Sequence, residues 1–238
     1  MTSHTVTSEE LWALLNTEDD RVRAGLCSLG ARRRAALAAG ARRVGWKVGL
    51  NDVAVRRRLG VDAGVVGYLL DDTVVRDGLV STAGTERLLL EMELALEVGV
   101  APPSSGSHPI IRVASALEVL DVSASDVEHA IAANVWHHAV VFGEPCVLDA
   151  DVAAELAVTV TLNGGEPRSL APPTSAQLDL DAIHRFVASG VNALGESLEP
   201  GDWIIDGNLD PSPTWVANGD RIDADFGPLG HLTLQLTD

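Results

Sequence analysis

Residues Glu86–Gly99 read ERLLLEMELALEVG, and the fold turns on whether this stretch is helix or strand. As a helix it would project Glu91 and Glu93 about 200° apart, each surrounded by Leu, Met and Ala, with no polar stripe. As a strand it sorts cleanly. Leu89, Glu91, Glu93 and Ala95 fall on one face, and Leu90, Met92, Leu94 and Leu96 on the other. The strand explains the spacing: one face packs on a core and the other presents two adjacent carboxylates. Ionised carboxylates in apolar surroundings are costly unless paired or bound to a cation. Repulsion at this separation raises the pKa of at least one of them. On spacing alone, a wet outer face of an edge strand and a metal site explain the pair equally well.

The same alternation recurs on both sides. In VGWKVGL, Val44, Trp46, Val48 and Leu50 alternate with Gly45, Lys47 and Gly49. VVGYLLDDTVVRDGLVS follows, with turns at Asp71-Asp72 and Asp77-Gly78. APPSSGSHP is a loop. IIRVASALEVLDVS reads as a short helix feeding a strand. AVVFG and AVTVTLNGGEPRSL read as strands, the second with an Asn-Gly-Gly turn. LDLDAIHRFVASGVNALG carries Ile183, Phe186, Val187, Val191 and Leu194 at helical spacing and stops at Gly195. The tail is strands again, with Leu232, Leu234 and Leu236 alternating. Before residue 44 the chain reads as helix. TSEELWALL offers Thr7 or Ser8 as a cap, and RVRAGLCSLGARRRAALAAGARR, residues 21–43, is rich in Ala, Leu and Arg. Arg32, Arg33, Arg34, Arg42 and Arg43 read as a solvated helix face.

Composition bounds the partners. The 238 residues carry 17 basic and 34 acidic side chains, a net charge of -17, which disfavours nucleic acid and anionic membrane surfaces. An anionic substrate then needs a local positive group. No apolar run is long enough to span a membrane, and MTSHTVTSEELW has no signal-peptide pattern. Cys27 and Cys146 form neither a disulfide framework nor a zinc spacing, and the expected compartment is a reducing cytoplasm.

Glu118, in ASALEVLD, is a third acid inside an apolar run. Three carboxylates without Cys or His at ligand spacing suit a hard cation, Mg2+ or Mn2+, which leaves positions open for substrate. Lys47 is flanked on its strand face by Gly45 and Gly49, which leave room beside its ammonium.

In order, VGWKVGL, LGVDAGVVGYLLDD, EMELALEVG, ALEVLD, AANVWHHAVVFG and LEPGDWIIDGNLDPSPTWVANGDRIDADFGPLGHLTLQL resemble the 2-hydroxypentadienoate (2-oxopent-4-enoate) hydratase and 4-oxalocrotonate decarboxylase family. That family is a branch of the fumarylacetoacetate hydrolase superfamily. The resemblance runs from about Val44 to Leu236. It implies an α+β, β-rich fold, a mixed β-sandwich roll, with residues 1–43 as a helical N-terminal cap and 44–238 as the catalytic domain. It implies Glu91, Glu93 and Glu118 as ligands of a divalent cation that chelates the carboxylate and 2-oxo group of a small 2-oxo acid. The activity implied is that of a lyase (hydratase, dehydratase or decarboxylase) working through a metal-bound enolate, in a homo-oligomer. Lys47 matches the family's G-[YW]-K-[IV]-G-L and is implied to orient the substrate carboxylate or move protons. Asp72 matches a family acid near the site and reads equally as a turn aspartate.

The chain also departs from the family pattern. Val65 stands where an Asp is usual, Ala133 and Trp136 replace the Asp and the small residue of DNAS, and DGN with Asp206 and Asn208 replaces TGS. His137 and His138 are new polar groups beside them. Trp136, His137 and Asn208 are therefore the candidates for shaping a different substrate pocket. A C–C hydrolase or tautomerase of acylpyruvate-like substrates and a non-catalytic metal-binding subunit stay open. The hydrolase reading loses ground because His4 is the only His before residue 108, where such enzymes present a His-Glu lid.

Overall fold

The computed structural model describes residues 19–62, 64–100, 110–147, 150–174, 177–206, 209–210, 212 and 214–238. The TSEELWALL and APPSSGSHP readings lie outside these residues, as does Asn208. The described chain runs α1 (Asp20–Ala38), β1 (Arg43–Gly49), α2 (Val53–Leu59), β2 (Val65–Leu70), β3 (Val74–Val75), β4 (Leu79–Ser81), β5 (Leu88–Val98) and β6 (Ile110–Asp121). It continues through α3 (Val127–Ala132), β7 (His137–Phe142), α4 (Ala150–Glu155), β8 (Thr159–Leu162), β9 (Arg168–Ser169), α5 (Leu180–Ala193), β10 (Trp203–Asp206), β11 (Thr214–Val216), β12 (Arg221–Asp225) and β13 (His231–Thr237). The result is a β-rich α+β fold, as the alternating patterns predict.

Strands β2-β1-β10-β5-β6-β7-β3 form the larger sheet, with β11 also paired to β5, and β4-β13-β12-β8-β9 form the smaller one. Strand β5 is thus central rather than an edge: β10 and β11 pair with it on one side and β6 along its whole length on the other. This removes the wet-edge explanation of Glu91 and Glu93. Strand β6 corrects the helix-then-strand expectation. It is one continuous strand because every residue from Ile110 to Asp121 except Ile111, where the register shifts, pairs with β5. Most of its side chains are buried on both faces, so no period of two is left in the sequence to separate it from a buried helix.

The larger sheet buries two different faces. Trp46, Met92, Leu94, Leu96, Leu117, Val119 and Ile204 join the main core, which continues into the smaller sheet and α5. The opposite face holds a small, fully buried cluster of Leu69, Ala95, Ala114, Ala116, Val140 and Ile205. Phe142 and Trp203 flank it, stacked with ring centroids 5.6 Å apart.

Helix α1 is capped by Asp19, whose carboxylate accepts from Arg21 N at 2.9 Å. It crosses α3 at Gly25, where a Cβ would lie 2.9 Å from the Cβ of Ile131, so a bare backbone sets the closeness of the crossing. The arginines of this region are not all solvated. Arg33 is buried, ion-paired to Glu196 and stacked 4.6 Å from the Trp46 ring centroid, and Arg43 is ion-paired to Asp202. The Trp46 stacking ties α1 to the sheet and the Glu196 pair ties it to the turn after α5, while Arg43 links the start of β1 to the residue before β10; the charge pattern alone does not distinguish these arginines from surface ones.

Candidate metal centre

The enclosed face is apolar at one end and ionic at the other, and the strand register arranges this. Lys47 lies opposite Ile205 and Gly67, Ile205 opposite Ala95, Glu93 opposite Ala116, and Glu91 opposite Glu118. Directly opposed residues share a face, so the alternation of β5 carries Glu91 and Glu93 to the same side as Glu118 and Lys47. Glu91, Glu93 and Glu118 each offer one oxygen, and these lie within 4.8 Å of one another. Glu93 and Glu118 are fully buried.

Lys47 is the internal counter-charge. Its Nζ donates to Glu118 Oε1 at 2.5 Å and to the Val135 carbonyl at 3.3 Å. The room for its stem comes from the neighbouring strand. A Cβ on Gly67 would sit 2.7 Å from Lys47 Cγ, whereas the space at Gly49 is filled by Val135 and that at Gly45 by the Trp203 backbone. The expectation that Gly45 and Gly49 clear the ammonium is corrected accordingly.

The carboxylates titrate apart. Burial pushes Glu93 well up, and the charges of Glu118 and Glu91 push it further. Burial raises Glu118 too, but the Lys47 ammonium and the His137 hydrogen bond outweigh it and hold that carboxylate below its ordinary value. Burial holds the His137 imidazole below its usual range, partly opposed by Glu118.

These residues fit a hard divalent cation. Glu93 Oε2 and Glu118 Oε2 are buried without a hydrogen-bond partner, which is expensive for a carboxylate oxygen and is relieved by coordination. Three carboxylates against one ammonium leave a net negative site, and an all-oxygen donor set matches Mg2+ or Mn2+.

The other candidates are placed elsewhere or differently. His137 does reach the acids, but its side chain is buried between Glu118 and Thr73. Trp136 is turned into the main core, where its indole N–H donates to the Ala124 carbonyl at 3.0 Å. Asp72 is exposed in the turn after β2, beside the C-terminal end of α1, because the Asp71-Asp72 pair reads here as a turn, with Asp71 held by Arg42. Three residues beside the site were not among the candidates read from the sequence. Asn134 bonds both the N–H and the carbonyl of Tyr68 at 2.8 Å, pinning β2 beside the site. Asn134, Val135 and Trp136 all have left-handed backbone (φ 56°, 54° and 62°), and this strained turn presents the Val135 carbonyl to Lys47. Asp206 is a buried acid at the end of β10 whose charge also raises Glu93, and its signal was the acid closing WIID. Thr73 had no signal at all.

No family model matches the chain. Two proteins of Dechloromonas aromatica (strain RCB), named 2-keto-4-pentenoate hydratase 1 and 2, are each 29% identical to it over 220 residues, covering 84% of this chain and 80% of theirs. Among solved structures, 4-oxalocrotonate decarboxylase from Pseudomonas putida G7, complexed with magnesium and adipate, superposes with a TM-score of 0.74 at 23% identity, over 98% of this chain and 99% of that one. Fumarylpyruvate hydrolase from Pseudomonas aeruginosa, in complex with Mn2+ and pyruvate, superposes with a TM-score of 0.56 at 16% identity, over 82% and 89%. The structural likenesses establish the fold, the named relatives are enzymes, and the ions in those two complexes are the pair expected from the acids. The chain is similar in sequence to the 2-keto-4-pentenoate hydratases over most of its length, and it shares the fold of 4-oxalocrotonate decarboxylase and fumarylpyruvate hydrolase.

Proposed function

We propose that the protein is a divalent-cation-dependent lyase acting on a small 2-oxo or 2-hydroxy-dienoic acid, by hydration, dehydration or decarboxylation. The observation that carries this reading is the convergence of Glu91, Glu93 and Glu118 on one point of an enclosed face, with Lys47 beside them. The three glutamates would hold Mg2+ or Mn2+, and the bound ion supplies Lewis-acid polarisation of a 2-oxo group and a local positive charge on a chain of net charge -17. Glu118 and the Val135 carbonyl engage two of the three Lys47 ammonium protons, leaving a third for an oxygen of the substrate head. From that position Lys47 Nζ holds, gives or takes the proton at the oxygen or neighbouring carbon as an enol forms or collapses. The buried cluster of Ala95, Ala114, Ala116 and Ile205, flanked by Phe142 and Trp203, keeps water from the floor of the site.

Val65 and Ala133 stand where the family has acids, and Val65 is fully buried. That favours a substrate bulkier or less polar than the simple dienoate. Unpaired cysteines at Cys27 and Cys146 support a reducing cytoplasm, and among the described residues no helix is long and apolar enough to cross a membrane. Assembly into a homo-oligomer belongs to the same reading.

The test is turnover of a panel of 2-oxo acids, including 2-hydroxypenta-2,4-dienoate, with and without Mg2+. Cation-dependent turnover of a larger oxo acid, with poor hydration of the simple dienoate, is the expected result. Efficient hydration of that dienoate, at about 1–10³ per second, would contradict the substrate assignment. No cation-dependent turnover across the panel would favour a non-catalytic subunit.

A further inference from the structure

The adjacent residues His137 and His138 are placed differently, and a β-bulge separates them. Strands β6 and β7 pair Val119 with Ala139, but the register then shifts and Leu120 pairs with His137. His138 is the extra residue. Without the shift, His138 would lie opposite Leu120 on the Glu118 face; with it, His137 does. His138 instead reaches the Ser81 carbonyl, 2.7 Å from its Nε2.

We infer that His137 is a positioning residue of the cation site, fixing Glu118 so that Oε1 stays between the imidazole and Lys47 while Oε2 is left to the cation. The inference rests on the reading of the three glutamates as the cation site. His137 Nδ1 lies 2.6 Å from Glu118 Oε1, the oxygen that also accepts from Lys47 at 2.5 Å. Two donors thus converge on one oxygen, and Oε2, buried and without a hydrogen bond, is the one that remains for coordination. The far side of the ring is held as well. Nε2 lies 3.0 Å from Thr73 Oγ1, a hydroxyl that also lies 3.0 Å from the Leu70 carbonyl, and the Thr73 backbone is fixed on both sides, its N–H donating to Leu70 O at 3.1 Å and its carbonyl accepting from Val140 N at 2.9 Å. An imidazole held at both nitrogens cannot rotate, so the carboxylate it bonds cannot rotate freely either. An ionised carboxylate oxygen only accepts, so Nδ1 must carry a proton at this contact, whatever the state of Nε2. Hydrogen-bonding groups behind metal ligands set ligand orientation in this way, and their loss typically weakens metal binding by about 10–100-fold.

The experiment is Mn2+ titration of the full-length chain, stripped of cations, with free Mn2+ read by electron paramagnetic resonance. It is run on the wild type, His137→Leu, His137→Asn and Thr73→Val, with folding checked by circular dichroism and thermal melting. His137→Leu should bind Mn2+ about 10–100-fold more weakly. His137→Asn, whose side-chain amide can place an N–H near the Nδ1 position, should recover most of that loss, and Thr73→Val should fall between. Binding by His137→Leu within twofold of wild type would overturn the inference, and so would equal losses in the Asn and Leu variants. Nitrogen-15 spectra of the cation-free wild type give a readout independent of the metal: Nδ1 protonated is expected, and an unprotonated Nδ1 would overturn the assignment. Failure of the wild type to bind Mn2+ would remove the three-glutamate reading and this inference with it, whereas normal wild-type binding beside an unaffected His137→Leu removes the inference alone.

Discussion

Lys47→Met is expected to lower the melting temperature of the cation-free protein by roughly 10 °C and to reduce turnover by on the order of 100-fold. The stability loss follows from what the substitution leaves behind. Lys47 and Glu118 are both buried, 2.5 Å apart. A buried ion pair is not necessarily stabilising as a whole, but removing one partner strands the other charge and costs about 3–5 kcal/mol. For a chain of this size each kcal/mol shifts the melting temperature by roughly 2–4 °C. The methionine fills much of the same volume beside Gly67, so packing changes little. Saturating Mg2+ should restore part of the lost stability, because the cation supplies Glu118 with a new counter-charge. The turnover loss should persist, since no neighbouring group replaces the ammonium proton at the substrate; positioned proton transfer is worth about 10²–10⁴-fold. A melting temperature within about 2 °C of wild type, without cation, would mean that Lys47 is not the partner of a buried carboxylate.

Glu93→Gln should have opposite effects on the two states of the protein. Without cation, burial and two neighbouring carboxylates raise the pKa of Glu93 well above its unfolded value. A carboxyl raised in the folded state leaves stability fully present below the unfolded pKa of about 4.3 and removes it as the pH rises through the folded value. At neutral and alkaline pH the wild-type site therefore holds a costly charge or a costly proton, and the neutral glutamine does not. The cation-free variant should melt about 3 °C or more above wild type at pH 8, with the difference vanishing near pH 4. Saturating Mg2+ should reverse the order, because ligand binding stabilises only a site that still binds. The variant's cation affinity should fall on the order of 100-fold with one fewer charged ligand. Calorimetric melting with and without Mg2+ at both pH values checks the sign. A variant less stable than wild type at pH 8 without cation would show that Glu93 is not strained.

The two central glutamates were legible because a strand's period of two separates Glu91 and Glu93 from Met92 cleanly, and a helix does not. Glu118 was legible from its setting, an acid in an apolar run, although its strand was partly misread as helix for the same reason: both faces are buried. The roles of neighbouring residues were less accessible, because they depend on register. Whether His137 or His138 meets Glu118 is decided by the one-residue bulge in β7, and nothing in the HH pair encodes which is the extra residue. The space around Lys47 depends on Gly67, a cross-strand partner twenty residues away, rather than on the glycines beside it in sequence. Trp136 looked like a pocket residue because of the motif it interrupts, but a left-handed turn sends its ring into the main core. Arg33 looked like one of five surface arginines, and only the approach of Trp46 and Glu196 makes it a buried one.

The central claim is that Glu91, Glu93 and Glu118 together hold one divalent cation. Crystals grown with Mn2+ and recorded at a wavelength where manganese scatters anomalously test it directly. The expected result is one strong anomalous peak per chain at coordination distance, roughly 2.0–2.6 Å for hard divalent cations, from an oxygen of each of the three glutamates. The peak should disappear in Glu93→Gln at limiting Mn2+. A wild-type map with no peak there, or with its only peak away from these carboxylates, would contradict the account.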